Sequence, residues 1–328
     1  MVATSHPKWH RAIADAIRDP HELTDLLGLP PTLALESQQA ANAFPFLVPR
    51  TFVERIRPGK PDDPLLRQVL PRPEETACAN GFDTDPLHER QALRAPGLLQ
   101  KYPGRALLLT GACAMHCRYC FRRHATAPSL AATADWQPAL DAIARDPSLR
   151  EIILSGGDPL SLADESLAEM IARLAAIPHL RRLRIHTRLP VAIPERVTDG
   201  LIECLASSRL TPIVVVQVNH AHELTAACPD ALRKLVRSGI PVLNQSVLLR
   251  GVNDSPSALI ALCEGLADLG VLPYYLHQLD PVAGAAHFHV PVGEGKRLVA
   301  ETRNHLPGYA VPRYVQETPG QAGKTALA

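Results

Sequence analysis

Six apolar runs, separated by amphipathic stretches, constrain any fold of this chain. They are "RALLLT" (105–110), "EIILSGGDP" (151–159), "RLRIHTR" (182–188), "PIVVVQVNH" (212–220), "PVLNQSVLLRGVND" (241–254) and "LPYYLHQLD" (272–280). From the second onward they recur about every 30 residues, the length of one βα unit. Strands covered on both faces read as continuous apolar runs, as these do. The intervening "SLAEMIARLAAI", "ERVTDGLIECLASS", "DALRKLVRSG" and "SALIALCEGLADLG" carry apolar residues at helical spacing. Six such units suit a parallel α/β fold, either a doubly wound sheet or a partial barrel. The run endings favour the barrel. "SGGD", "HTR", "VNH", "GVND" and "QLD" are polar and potentially reactive, and a barrel gathers strand ends at one mouth. Six strands instead of eight would leave one side open, with room for a large substrate.

The flanks read differently. Over residues 1–95, "HRAIADAIRD", "HELTDLLGL" and "DDPLLRQVL" are short helical patterns closed or opened by proline, with no convincing strand. The expected organisation is an α-helical N-terminal region (1–95), a partial β/α barrel (96–290) and a C-terminal segment (291–328). In that segment "GEGKRLVAETRNHL" predicts a last helix and "YAVPRYVQE" a last strand. Hydrophobic residues make up 46% and charged residues 20%, enough for a large core and too apolar for wholesale disorder. A formal net charge of +1 argues against a dedicated nucleic-acid surface. No apolar run approaches the roughly 20 residues of a membrane span. The first twenty residues lack the uninterrupted apolar core of a secretory signal. Seven cysteines in such a chain read as reduced thiols in the cytoplasm, not as a disulfide framework.

Three of those cysteines stand together in "GACAMHCRYCFRR" (111–123): Cys113, Cys117 and Cys120, directly after the first run. A zinc site would need a fourth ligand, for which His116 and His124 are near, yet the stretch lacks the two separated ligand pairs usual for structural zinc. Inert buried thiols sit poorly with a polar, arginine-flanked loop. A [4Fe–4S] cluster on three thiolates leaves one iron open for a small molecule. The CxxxCxxC spacing, with Tyr119 before the third cysteine, resembles the signature of the radical S-adenosylmethionine superfamily. There the amino and carboxylate groups of S-adenosylmethionine complete the fourth iron. "SGGDP" follows the second run, and Gly156 and Gly157 would let the backbone approach a ligand closely. In the superfamily a glycine-rich stretch at this place holds the methionine amino group, which implies a role for Ser155, Gly156 and Gly157.

Longer stretches narrow the resemblance. "KYPGRALLLT", "CRYCFRR", "ILSGGDPL", "RIHTRLPVAIPERVT", "LNQSVLLRGVND" and "PYYLHQLDPVAGAAHF" resemble lysine 2,3-aminomutases along residues 85–325, and most of all the short bacterial branch that makes β-lysine for elongation factor P. The resemblance implies a [4Fe–4S] cluster, S-adenosylmethionine and pyridoxal phosphate. It implies free lysine as substrate, an electron donor such as flavodoxin, and a functional link to elongation factor P and its lysyl ligase. It also implies residue roles. Lys324, in "PGQAGK", matches the lysine that holds pyridoxal phosphate as a Schiff base, although Gln321 and Ala322 replace two glycines of the family's segment. Lys101 and Arg105 match its phosphate-binding pair, and Gln245 is a further cofactor-binding position. Arg122 matches the arginine that grips the substrate carboxylate. Asp280 and Glu317 match the two acids that meet the substrate ammonium, the second usually an Asp. No cysteine follows Cys263, so the zinc-binding extension of the longer catabolic enzymes is expected to be absent. Cys78, Cys204, Cys228 and Cys263 are expected to be core residues. Another amino acid 2,3-aminomutase, such as one acting on glutamate, and a non-catalytic, zinc-stabilised binding module are the competing readings.

Overall fold

The computed structural model describes residues 7–125 and 135–328. One sheet holds ten strands: β1 (Leu93–Ala95), β2 (Leu98–Tyr102), β3 (Arg105–Leu109), β4 (Glu151–Ser155), β5 (Arg182–Thr187), β6 (Thr211–Gln217), β7 (Val242–Val247), β8 (Leu272–His277), β9 (Arg313–Gln316) and β10 (Thr325–Ala326). Their order across the sheet is their order along the chain. β3 to β9 pair in parallel, whereas β1, β2 and β10 pair antiparallel at the two edges. A doubly wound sheet reverses its strand order at a switch point. This one never reverses, so crossovers of one hand put the helices on a single face. The architecture is that of a partial barrel, as expected, with β9 extending the parallel run to seven strands.

The N-terminal region supplies α1 (Lys8–Ala14), α2 (Pro20–Leu26), α3 (Pro31–Ala41), α4 (Arg50–Val53) and α5 (Pro64–Val69). The barrel helices are α6 (Gln137–Arg145), α7 (Asp164–Ala175), α8 (Leu189–Ala192), α9 (Asp199–Ala206), α10 (Cys228–Arg237) and α11 (Pro256–Asp268), followed by α12 (Val292–Arg303). Local chemistry sets several starts. Asp19, Asp63, Thr198 and Ser255 each accept a hydrogen bond from a backbone N–H of the first turn, satisfying donors the helix leaves unpaired. Prolines occupy the first turn of α2, α5 and α11, where a missing N–H costs nothing. Among the described residues no helix is long and apolar enough to cross a membrane.

Two strands lie ahead of the run at 105–110, and the first, β1, falls within the region expected to lack strands. The cause is a pair of Pro-Gly reversals. Gly97 (φ +72°) and Gly104 (φ +73°) take left-handed backbone that other residues resist, folding β1, β2 and β3 into a meander.

The largest apolar cluster joins the N-terminal helices to the barrel, and smaller clusters lie around Phe288 and Tyr314. The largest runs from Trp9 and Phe52 in the N-terminal helices through Leu108, Ile152 and Ile185 to Leu262 and Val271. β5 shows how the strands are divided. Leu183, Ile185 and Thr187 are buried, while Arg182, Arg184 and His186 alternate with them and are only partly covered. His186 reaches Gln245, two strands away (3.4 Å), across the concave face, so the even positions line the barrel's interior. At the other end of that interior Glu151 accepts from Arg182 (3.0 Å) and Arg184 (2.7 Å). The barrel is therefore lined with polar groups rather than filled with apolar ones.

Candidate active site

The cysteine loop leaves β3 at the carboxyl end of the parallel strands. Its shape is imposed from two sides. From the N-terminal region, Glu75 accepts from Arg118 (2.9 and 2.5 Å) and Arg123 (2.5 Å), all three buried. Arg118 N–H donates to the Gln68 carbonyl and His116 N–H to that of Leu47, each at 2.9 Å. From the barrel, the turn after β4 packs on the loop's backbone. A β-carbon at Gly157 would lie 1.4 Å from the Gly111 oxygen, and one at Gly156 would lie 2.2 Å from Leu109 Cδ2. Only glycine fits either place. Thr110 N–H and hydroxyl both donate to the Ser155 carbonyl, at 3.0 and 3.2 Å.

The three thiols are unpaired and partly buried. Desolvation, then the neighbouring Cys120, Asp158 and Cys117, pushes the Cys113 thiol well above its usual range. Desolvation and Cys117 push Cys120 up to about 11. Mutual repulsion of this kind is what a bound cation reverses. Arg188, at the end of "HTR", already opposes it. Its Nη1 donates to Cys117 Sγ (2.8 Å) and to the Tyr119 hydroxyl, while Nη2 donates to Gln68 (2.7 Å) and Glu223 (3.0 Å). Among the described residues no three Cys, His, Asp or Glu side chains converge tightly enough for a single metal ion. A [4Fe–4S] cubane asks for something else, because each thiolate binds a different iron at a different corner. His116 and His124 are committed elsewhere, to the carbonyls of Pro45 and Ala283, each at 2.9 Å. The donor set of three soft thiols, a guanidinium beside one of them and a glycine cradle fits an iron–sulfur cluster with a small amino acid-like ligand.

Asp158 ties the cradle to β5. Its buried carboxylate accepts from the Thr187 hydroxyl and Arg188 N–H, each at 2.6 Å, and from Leu189 N–H at 3.2 Å. Asn219 joins the next endings: its side chain donates to Tyr119 (2.7 Å) and Gln68 (2.9 Å), and Val247 N–H donates back to it (2.9 Å).

Beside the loop runs a ladder of alternating charge. Arg122 donates to Glu89 through Nε and Nη2, each at 2.7 Å. Lys101 meets Glu89 at 2.9 Å and Glu317 at 2.8 Å, and Lys324 donates to Glu317 at 2.6 Å. Burial opposes the charge on Glu89, but Arg122 and Lys101 outweigh it and hold the carboxyl at about 2. Burial likewise opposes ionisation of Glu317, and Lys324 and Lys101 prevail, keeping it far below the usual carboxylate range. Among the described residues Asp280 has no ion pair, and the more distant Lys324 and Lys101 do not offset its burial. Desolvation, then the Glu317 charge, pushes it up to about 7.

Lys324 and Arg105 both face the Tyr102 ring, at 5.9 and 4.6 Å from its centroid. Among the described residues the Tyr102 hydroxyl, buried beside Glu317, makes no hydrogen bond of normal geometry, and the buried His186 Nε2 has no partner. Two orphaned polar atoms near a lysine, an arginine and Gln245 fit a polar, phosphate-bearing ring cofactor.

The structure thus brings Lys101, Arg122, Glu317 and Lys324 into one ladder, with Asp280 and Arg105 beside it. The structure adds residues that the sequence did not single out, and it changes one expectation. Arg122 and Lys101 are engaged by Glu89, whose "DPLHER" context carries no local signal of a site. Arg188 and Asn219 were legible only as polar run endings. Cys228 and Cys263 are buried as expected and Cys204 is half-buried, but Cys78 is exposed and lies outside the core.

Residues 107–263 match the family model of the Radical SAM superfamily. The chain is 47% identical over 326 residues to the L-lysine 2,3-aminomutase of Escherichia coli, covering 98% of this chain and 95% of that protein. It is 42% identical to the Haemophilus influenzae L-lysine 2,3-aminomutase, covering 100% and 97%. The Clostridium subterminale L-lysine 2,3-aminomutase is 36% identical, covering 97% of this chain and 77% of that protein. Among solved structures, that of Streptococcus suis SuiB superposes with a TM-score of 0.50 at 14% identity, over 66% of this chain and 50% of that one, and bears on the fold alone. With such identity over nearly the full length of both proteins, the chain belongs to the L-lysine 2,3-aminomutase family of radical S-adenosylmethionine isomerases, whose cofactors are a [4Fe–4S] cluster, S-adenosylmethionine and pyridoxal phosphate.

Proposed function

We propose that the protein converts L-lysine to β-lysine by moving the amino group from C2 to C3, with pyridoxal phosphate bound at Lys324. One observation carries the substrate reading. The ladder ends in a guanidinium, Arg122, on one side, while two carboxylates, Glu317 and Asp280, neighbour Lys324 on the other. A lysine substrate presents a carboxylate at one end and an ammonium at the other, and a buried ammonium without an acid is strongly disfavoured. A glutamate pocket would need a cation or amide where these acids stand.

When bound, the cluster with S-adenosylmethionine supplies hydrogen-atom abstraction, and pyridoxal phosphate supplies carbonyl chemistry for the migrating amine. Cys113, Cys117 and Cys120 would hold the cluster, and Ser155, Gly156 and Gly157 would cradle the methionine end of S-adenosylmethionine. Lys101 and Arg105 would neutralise the cofactor phosphate, and Gln245 would meet the cofactor inside the barrel. Arg122 would orient the substrate through its carboxylate, and Asp280 and Glu317 would fix its far end. The polar lining and the apolar outer core keep this volume shaped and hold the ions out of bulk water.

The β-lysine would supply the modification of elongation factor P by its lysyl ligase, in the cytoplasm, with a flavodoxin-type protein as electron source. The likeness to the short bacterial branch supports this. The test is anaerobic reconstitution followed by turnover with lysine, ornithine, arginine and glutamate. β-Lysine as the main product is expected. A preference for glutamate, or bound zinc without iron–sulfur and pyridoxal absorbance, would overturn the reading.

A further inference from the structure

Arginine has two edges that can take a carboxylate in parallel: the side-on edge, Nε with Nη2, and the end-on edge, Nη1 with Nη2. At Arg122 the side-on edge is filled by both oxygens of Glu89. Nη1 makes no hydrogen bond among the described residues, so the end-on edge stays free for a second carboxylate. The guanidinium carbon also lies 4.5 Å from the centroid of the Phe121 ring, a contact that does not fix the direction in which its edges point. Glu89 does the same to Lys101, which spends two of its three N–H groups on Glu89 and Glu317 and keeps one. Glu89 is 4% exposed, and it follows His88, one of two non-glycine residues with left-handed backbone among those described (φ +50°). Such backbone persists only where its surroundings enforce it.

We propose that Glu89 is a positioning residue: it docks the side-on edge of Arg122 and one N–H of Lys101, and so fixes the distance between the substrate-carboxylate grip and the cofactor-phosphate grip. This rests on the proposed roles of Arg122 and Lys101. Two effects of Glu89 oppose each other. Its negative charge weakens the pull of Arg122 on a second carboxylate, while its dock sets the direction of that pull. Docking dominates, because Glu89 is the described residue that hydrogen-bonds the Arg122 guanidinium and so the one that sets its orientation.

The test is binding by calorimetry to the reconstituted enzyme carrying pyridoxal phosphate, without reductant, so that no turnover occurs. Lysine is compared with lysinamide, which keeps both amines and lacks the carboxylate. The wild type is expected to prefer lysine by at least about tenfold, the scale of one charge-assisted bidentate pair. Glu89→Gln is expected to bring that ratio within about threefold of one, and Glu89→Asp, which keeps the charge and loses the reach, to do the same. A general loss of folding would weaken both ligands alike and leave the ratio unmoved. If the wild type discriminates and Glu89→Gln discriminates equally or better, Glu89 is only a charge brake and the proposal fails alone. If the wild type does not discriminate, the carboxylate role of Arg122 fails and the proposal falls with it.

Discussion

Gly157 lets the turn after β4 touch the cysteine loop, and there is no space for a methyl group between them. Gly157→Ala is therefore expected to displace the loop and lower iron incorporation severalfold. Gly293→Ala, where nothing lies within 4 Å, is the matched control and should leave iron unchanged. Cys113→Ala should abolish the cluster, since two thiolates do not hold four irons stably; normal iron content with an unaltered visible band would exclude Cys113 as a ligand. Lys324→Ala separates the two cofactors. It should lose covalent pyridoxal phosphate and keep its iron, because the thiols lie in a different element. Borohydride reduction followed by peptide mapping checks this, and a label on any other lysine would displace Lys324 from its role.

At the scale of elements, the cysteine loop is held less by its own sequence than by the N-terminal region, through Glu75. Glu75→Ala would leave Arg118 and Arg123 buried without their carboxylate, a loss of about 3–5 kcal/mol by analogy with other broken buried pairs. Denaturant unfolding of the purified protein measures it, and a loss below about 1 kcal/mol would mean that the arginines relax into solvent. This dependence explains what sequence could and could not disclose. The run endings "SGGD" and "HTR" sit on strands, so periodicity located them and the barrel brought them together. β1 and β2 escaped notice because they are short and owe their existence to Pro-Gly reversals, not to apolar runs. Glu89 was illegible for a different reason: its partners lie 33 and 12 residues further along, and no local pattern encodes a contact made by folding. Glu317 was legible only as an acid; that it serves two lysines at once is a fact of three dimensions.

For the whole molecule, Asp280 makes pH the informative variable. Its carboxyl, pushed up to about 7, stays protonated in the folded protein between about 4 and 7, where the unfolded chain has already lost the proton. The folded state binds more protons over that window, so this group's contribution to stability declines as pH rises toward 7. Lysine binding has the opposite sign. An ammonium selects the ionised form, so affinity should climb up to about tenfold per unit as pH rises toward 7 and then level off. Titration calorimetry in buffers of different ionisation enthalpy should show proton release at pH 6, and its absence would place Asp280 away from the ammonium.

The ladder also bears on the sheet itself. β1 and β10 are the outermost strands of the sheet, yet Lys101 on β2 touches Glu317 just beyond β9, so the two margins of the sheet meet through side chains. Elsewhere around the wall, main-chain hydrogen bonds set the spacing of neighbouring strands. Across this one gap ionic side chains set it, so its width depends on the Lys101–Glu317 pair and not on any peptide hydrogen bond. The wall of the barrel is thus closed by side chains at the seam where Lys324 sits, and by peptide groups between the paired strands.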